Sequence, residues 1–476
     1  MTILQERGRF WWHEQAVPAG QFAPEASVTG LITIDPNGRT DLELDGQLPG
    51  QGSPFDKVFI GHGTSVPGKY IQGVLTSTGQ HVLLADIIHN GGGFHSHGPW
   101  RQNFIAFDAL VGSEAFATAL SPVIHSLKID LEILAGWLEL GSISFERDGQ
   151  NVFARYERPK SATYELGDET LSVVFDLVGP FGPFEHFKRH ELSLRERASL
   201  KFKSLLPKQL EEQQEIYCRI GDLFILLTGS ELILDWPKVS LDGLSNEYSW
   251  YFWRENHATK PIKRDECWTR FPELQQDFGS IWRKWTALQE EVGAGAYLYL
   301  GTRRGKKLYS EHQFVNLIWG IEAFHRKRNA DVPSEALAKK IARILARIDD
   351  PADNKWLRRR LRYAHEPSLG DRIASIIGNL PIGFDTASVK RFANECADKR
   401  NAVSHFGANK DDGSYSDFVG RLQQLSEALA TLYHYLLLYE IGVSAQVLNG
   451  TLFEGRRSHA IKRNFHEVGL TRDANI

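Results

Sequence analysis

The sequence predicts an α+β multidomain protein: a β-rich N-terminal domain, sandwich- or barrel-like, followed by an all-α helical bundle. Three observations predict it. The chain has 476 residues, more than one hydrophobic core accommodates, so two or three domains are expected. The first half holds many short segments of alternating hydrophobicity separated by Gly-rich turns, the pattern of antiparallel strands. From about residue 272 the apolar period lengthens to that of amphipathic helices.

The strands read in order. Residues 28–46 alternate on both sides of Asp-Pro-Asn-Gly, a hairpin signal because Pro presets φ and Asn-Gly tolerates positive φ. Residues 69–88 predict a second hairpin turning at Thr-Gly. Segments 127–140, 141–157, 170–179 and 191–203 continue the strand pattern, and 231–241 and 247–255 return to it. Between them, 207–229 opens with Pro and a Glu/Gln-rich turn, becomes strongly apolar and stops at Gly, which predicts a helix packed on the β domain.

The helices follow. Residues 310–328 place Phe314, Leu317, Ile318, Ile321 and Phe324 on one stripe. Further helices are expected over 333–348, 352–366 and 368–380. Residues 385–407 begin with Asp385, a good N-cap, and end near Gly407. After a polar loop, the next segment stacks Phe418, Leu422, Leu425, Leu429, Leu432 and Leu436 on one face. The expected division is a β-rich domain over 1–271, a helical connector over 272–308, a bundle over 309–446 and a C-terminal tail over 447–476, the tail read as a short helix and a loose end.

Composition excludes several classes. The chain is 42% hydrophobic and 24% charged, which is globular rather than disordered. A net charge of −4 gives no global attraction to nucleic acid, so any such surface must be local. The three cysteines, Cys218, Cys267 and Cys396, form no C-x-x-C, which argues against a structural zinc site and a disulfide framework. No signal peptide and no transmembrane segment is evident, and a cytoplasmic location is expected.

The chemistry concentrates in ECADKRNAVSHFG, residues 395–407. On a helix, Asn401 and His405 share a face at i, i+4. Arg400 sits about 140° from His405 and must use its reach, a loosened last turn or a second chain to meet it. A helix C-terminus favours imidazolium, which suits His405 for moving a proton. Arg400 can hold a phosphate and neutralise transition-state charge, and Asn401 can orient the ring or bind a phosphate oxygen. These groups suffice for RNA cleavage without a metal, by attack of the 2′-OH on the adjacent phosphorus. The bland alternative is a solvated Arg and a His that caps helix carbonyls.

This Arg400-Asn401-Ala-Val-Ser-His405 segment, late in a helical bundle and followed by a polar loop and a long amphipathic helix, resembles the HEPN superfamily signature. Residues 314–328 look like the opening helix of its ApeA-like branch, and the β-rich front half is similar to the N-terminal domain found with it. The resemblance covers most of the chain and is most specific at 400–405 and 314–328. It implies a homodimeric, metal-independent ribonuclease without a cofactor, with Arg400 and His405 catalytic, Asn401 supporting them, and the two motifs facing each other across the dimer. It also implies a role in anti-phage defence by abortive infection, with a phage protein as trigger and tRNA among the candidate substrates.

Other features were weighed beside it. Glu322 and His325 lie on the first bundle helix and either orient the catalytic pair or form a buried polar pair. Nine basic residues lie between 339 and 362. Of these, Arg358, Arg359, Arg360 and Arg362 are expected to contact RNA, against the alternative of a solvated helix face. His89, His95 and His97 lie in a Gly-rich stretch that reads as a loop rather than a metal site, and the glycines lack a phosphate-loop pattern. Cys396 reads as a buried, inert thiol. The rival readings are a non-catalytic RNA- or protein-binding dimerisation module and, more remotely, a carbohydrate-binding β module.

Overall fold

The computed structural model describes residues 2–49, 69–93, 101–116, 122–179, 193–255, 260–304, 308–329, 335–361, 364, 366–404 and 414–472. The chain divides into two compact units. The first comprises Met1–Ala135, Leu140–Cys218 and Ile233–Pro261; the second comprises Gly136–Glu139, Arg219–Leu232 and Ile262–Ile476.

The first unit is antiparallel β-structure. Strands β1 (Leu4–Trp12), β2 (Val28–Ile34), β3 (Thr40–Leu44), β4 (Ile71–Leu75), β5 (His81–Gly93) and β6 (Arg101–Gly112) pair in the order β6-β3-β2-β1-β4-β5, and β5 pairs back onto β6. The ring is a closed six-stranded barrel, which removes the free edges that an open sheet would expose. Its interior is filled by alternate residues, among them Phe10, Trp12, Ile32, Ile34, Leu42, Leu44, Ile71, Val82, Leu84 and Phe104. The β2–β3 hairpin turns at the expected Asp-Pro-Asn-Gly. Asp35 Oδ1 accepts from the amides of Asn37 (2.8 Å) and Arg39 (3.0 Å), and Gly38 takes φ +80°.

From β6 the sheet extends through β14 (Glu247–Phe252), β13 (Lys238–Leu241), β7 (Ile124–Asp130), β12 (Arg195–Lys208), β11 (Glu169–Val178) and β10 (Ala162–Glu165). A separate hairpin pairs β8 (Ile143–Asp148) with β9 (Asn151–Tyr156). The strand expected over 127–140 is shorter than its sequence pattern implied. Strand β7 stops at Asp130, whose side chain accepts from the Glu132 amide at 2.9 Å, and a 3-10 turn leads into a short helix, α1 (Ala135–Leu138). The buried residues Leu131, Leu134, Trp137 and Leu138 recur at three- and four-residue intervals. Helical period therefore displaces alternation there. The expected helix over 207–229 is α2 (Leu210–Thr228).

The second unit is helical. Helices α3 (Phe271–Leu274), α4 (Phe278–Val292), α5 (Ala294–Gly301), α6 (Ser310–Arg328), α7 (Glu335–Leu345), α8 (Pro351–Arg360), α9 (Leu369–Gly378), α10 (Thr386–Ser404), α11 (Tyr415–Glu440), α12 (Ala445–Phe453) and α13 (Ser458–Glu467) follow in order. Helix α6 is central and packs against α5, α9 and α11. Its stripe of Phe314, Leu317, Ile318, Ile321 and Phe324 is buried as the spacing predicts, and so are Leu422, Leu425, Leu429, Leu432 and Leu436 of α11. A Cβ on Gly320 would lie 2.8 Å from Tyr433 Cε1 and 3.1 Å from the Gly295 carbonyl. Only glycine allows the helices this approach. Residues 447–472 differ from the expected short helix and loose end: α12, α13 and the turn after α13 bury Leu448, Leu452, Phe465, Val468 and Leu470. No described helix is long and apolar enough to cross a membrane.

Candidate active site

Helix α10 starts where its cap predicts. Asp385 Oδ2 accepts from the Ser388 amide at 3.0 Å, satisfying one of the free donors of the first turn. The inner face of the helix is then set by Val389, Phe392, Ala393 and Cys396, all buried. Four residues beyond Cys396, the same face carries Arg400. The arginine stem therefore follows the core stripe out to the helix end. Arg400 Nε is buried and has no hydrogen-bond partner among the described residues, while Nη1 donates to Asn401 Oδ1 at 3.2 Å. Asn401 itself is exposed. His405 lies outside the described residues.

Two contacts hold this helix against α11 just before the motif. Glu395 is gripped in parallel by Arg421, with Nε to Oε1 at 2.7 Å and Nη2 to Oε2 at 2.8 Å. The hydrogen bond to Glu395 keeps the Arg421 guanidinium protonated beyond its usual range. Such a fork fixes orientation as well as distance. One turn on, Lys399 Nζ stands 5.2 Å from the centre of the Phe418 ring. Sequence reasoning named neither Glu395 nor Arg421 as functional. The available signal was a carboxylate beside Cys396, close to the buried arc of the helix.

Glu322 is bonded within its own helix. Its Oε1 accepts from Arg326 Nε (3.2 Å) and Nη2 (3.1 Å). Arg326 Nη1 also donates to Glu366 at 2.8 Å, and Glu366 accepts from Arg372 Nη2 at 3.1 Å. Arg372 is 1% exposed and reaches His325 Nδ1 at 3.1 Å. Glu322 and His325 thus belong to one polar network threading α6 and α9, in which buried charges are compensated by multiple bonds.

Arg358, Arg359 and Arg360 are exposed on α8, where Asp350 caps the helix through the Ala352 and Asp353 amides. None has a carboxylate partner among the described residues. The Arg360 guanidinium lies 5.9 Å from the Trp356 ring centre, an aromatic that is itself 60% exposed. Arg362 lies outside the described residues. Cys396 is fully buried, and burial pushes its thiol far above the range of a nucleophile. His89 stands on β5, edge-on to Phe104 at 5.5 Å, and His95 and His97 lie outside the described residues. No cluster of three metal-ligating side chains occurs among the described residues.

Fold and site together define a two-part protein: a β domain built on a closed barrel, followed in the chain by a helical bundle with an Arg-Asn-x-x-x-His sequence at the end of one helix. The ApeA N-terminal domain 1 family matches residues 6–285, and the Apea-like HEPN family matches residues 315–447. The chain belongs to the ApeA family, and its helical bundle is the HEPN domain, a family generally associated with ribonucleases. No curated protein and no solved structure matches the chain.

Proposed function

We propose that this is an anti-phage defence protein whose HEPN bundle is a metal-independent endoribonuclease. In this reading the 2′-OH of the RNA attacks the adjacent phosphorus, His405 moves the proton, and Arg400 neutralises charge on the equatorial oxygens. The products are a 2′,3′-cyclic phosphate and a 5′-hydroxyl. No divalent ion is required, because the nucleophile belongs to the substrate and an imidazole transfers the proton. The single observation that carries the reading is Arg400 Nε, a buried donor without a partner among the described residues, at the end of a helix held by the Arg421–Glu395 pair. Unpaired buried donors are rare and call for a functional account.

The remaining roles follow from that chemistry. Asn401 steers the guanidinium through its 3.2 Å bond. The exposed cations Arg358, Arg359 and Arg360, with Arg362 beyond them in sequence, track the RNA backbone. A second copy of the chain brings a second motif opposite the first. The β domain restrains the nuclease until a phage component engages it, since an unrestrained enzyme would destroy host RNA. An anticodon loop, with splayed single-stranded phosphodiesters, suits the site.

The test is cleavage of total tRNA in EDTA by wild type, Arg400→Ala and His405→Ala, with and without lysate from infected cells. Cyclic phosphate ends that vanish in both variants support the reading. Cleavage unchanged in both variants overturns it. Phage protection that survives both substitutions points instead to a binding or dimerisation module.

A further inference from the structure

The second unit contains a cleft of about 1240 Å³, walled by residues 264–273, by Arg303 at the end of α5, and by α12 with the turn that follows it. It is large for a small-molecule site, since such sites commonly span about 300–1,000 Å³. Its charges fall into two sets. Arg264 and Arg270 donate to Glu139, Arg270 also to Glu273, and Arg456 pairs with Asp265. These ion pairs brace the walls. The second set has no opposite charge to meet: Arg303, Arg457, Glu266 and Glu454 form no ion pair among the described residues.

Arg303 is the ordered member of that set. Its Nε donates to the Tyr299 hydroxyl at 2.9 Å, and its guanidinium lies 5.4 Å from the Tyr299 ring centre. The Tyr299 hydroxyl is also hydrogen-bonded to Nδ1 of the buried His434. The stem is thereby fixed, while both terminal nitrogens have no hydrogen-bond partner among the described residues. Arg457 stands exposed on the rim. Two cations without carboxylates in one concave site suit a phosphate, which accepts several charge-assisted hydrogen bonds. Two carboxylates without cations suit the N–H donors of a base, as acidic side chains do when they accept from amino groups of bases. An inorganic anion satisfies only half of this lining, and the volume exceeds what it needs.

We propose that this cleft binds a free nucleotide, with its phosphate on Arg303 and Arg457 and its base amino group facing Glu266 or Glu454. The site is separate from the Arg400 motif and stands whether or not the bundle cuts RNA.

The experiment is calorimetric titration of the full chain with AMP, ATP, GTP and inorganic phosphate. Arg457→Ala is the informative variant: the side chain is exposed and has no ion-pair partner among the described residues, so the fold is retained. Loss of one charge-assisted contact predicts roughly ten- to hundredfold weaker nucleotide binding. Lys160→Ala, at an exposed cation of the β domain, leaves the affinity unchanged and controls for diffuse electrostatic attraction. Nucleotide binding at least tenfold tighter than that of phosphate, weakened by Arg457→Ala alone, supports the proposal. No nucleotide binding at millimolar concentration, equal affinity for phosphate, or wild-type affinity in Arg457→Ala would each overturn it.

Discussion

Arg400 and Asn401 are joined side chain to side chain, Nη1 to Oδ1 at 3.2 Å, although they are consecutive on the helix. Neighbours in sequence point about 100° apart, so the contact requires the arginine to fold across the helix end. In that posture Nε is buried and has no partner among the described residues. Arg400→Ala is expected to lower RNA cleavage on the order of 10²- to 10³-fold, the cost of losing a donor that acts on transition-state charge. Arg400→Lys is expected to rescue little, because an ammonium cannot reproduce the planar fork. Cleavage rates with unchanged circular dichroism spectra check both.

The salt dependence of RNA binding reports on α8. If Arg358, Arg359 and Arg360 contact phosphates, replacing all three by Gln should reduce the slope of log affinity against log salt by about 2, at about 0.7 per single-strand contact. Filter binding between 50 and 300 mM salt measures it. An unchanged slope would make these arginines a solvated helix face.

The network at Arg372 is structural, and its removal should show as stability rather than chemistry. Arg372→Ala leaves a cavity at a site 1% exposed and strips His325 and Glu366 of a partner. Breaking a buried ionic network costs about 3–5 kcal/mol, which for a unit of this size corresponds to a fall of roughly 10 °C in Tm. Thermal melting of the full chain checks it.

Asp108 makes the β domain sensitive to pH. Burial pushes its carboxyl up to about 6 from 3.8, against the opposing bond from the Trp250 indole N–H at 2.8 Å, and the charges of Asp86 and Glu211 add to the rise. The folded state therefore holds this proton more tightly than the unfolded chain. Its contribution to stability is complete below 3.8 and is lost as pH rises through about 6. Asp108→Asn keeps an acceptor for Trp250 and removes the buried charge. It is expected to stabilise the protein by at most about 3 kcal/mol at pH 7.5 and by nothing near pH 4, at about 1.4 kcal/mol per pH unit. Melting curves across that range decide it.

His434 acts in the opposite direction in the helical unit. Burial, then the nearby Arg303 charge, holds its imidazole well below the ordinary value of 6.5. The unfolded chain takes up a proton as pH falls through 6.5 while the folded ring stays neutral, so stability is lost on acidification. His434→Gln should be less stable at pH 8 yet lose less between pH 7 and pH 5. Equal losses in the two proteins would rule out His434 as the cause.

Elements whose signals are local were legible in the sequence. The Asp-Pro-Asn-Gly turn, helix α6 and the Asp385 cap each depend on residues within a few positions of one another, and each stands where spacing placed it. The segment after Asp130 was misread because short runs of alternating and helical apolar residues overlap. Burial of Trp137 beside Phe224, Phe271 and Phe278 decided between them. Likewise, spacing alone pairs Glu322 with Arg326 four residues on, but only packing brought Glu366 to the same arginine from 40 positions away.

The sequence by itself therefore determined the succession from a β-rich half to a helical half, the residue types at the helix end, and the family to which the chain belongs. Tertiary structure decided what those residues face. The β5–β6 pairing that closes the barrel joins strands already bonded to other partners, and no periodicity encodes it. The grip of Arg421 on Glu395 spans 26 positions. Arg303 and Arg457 line one cleft although they lie far apart in the chain. Contacts of this kind depend on which surfaces bury against which, a property of the packed chain rather than of any segment within it.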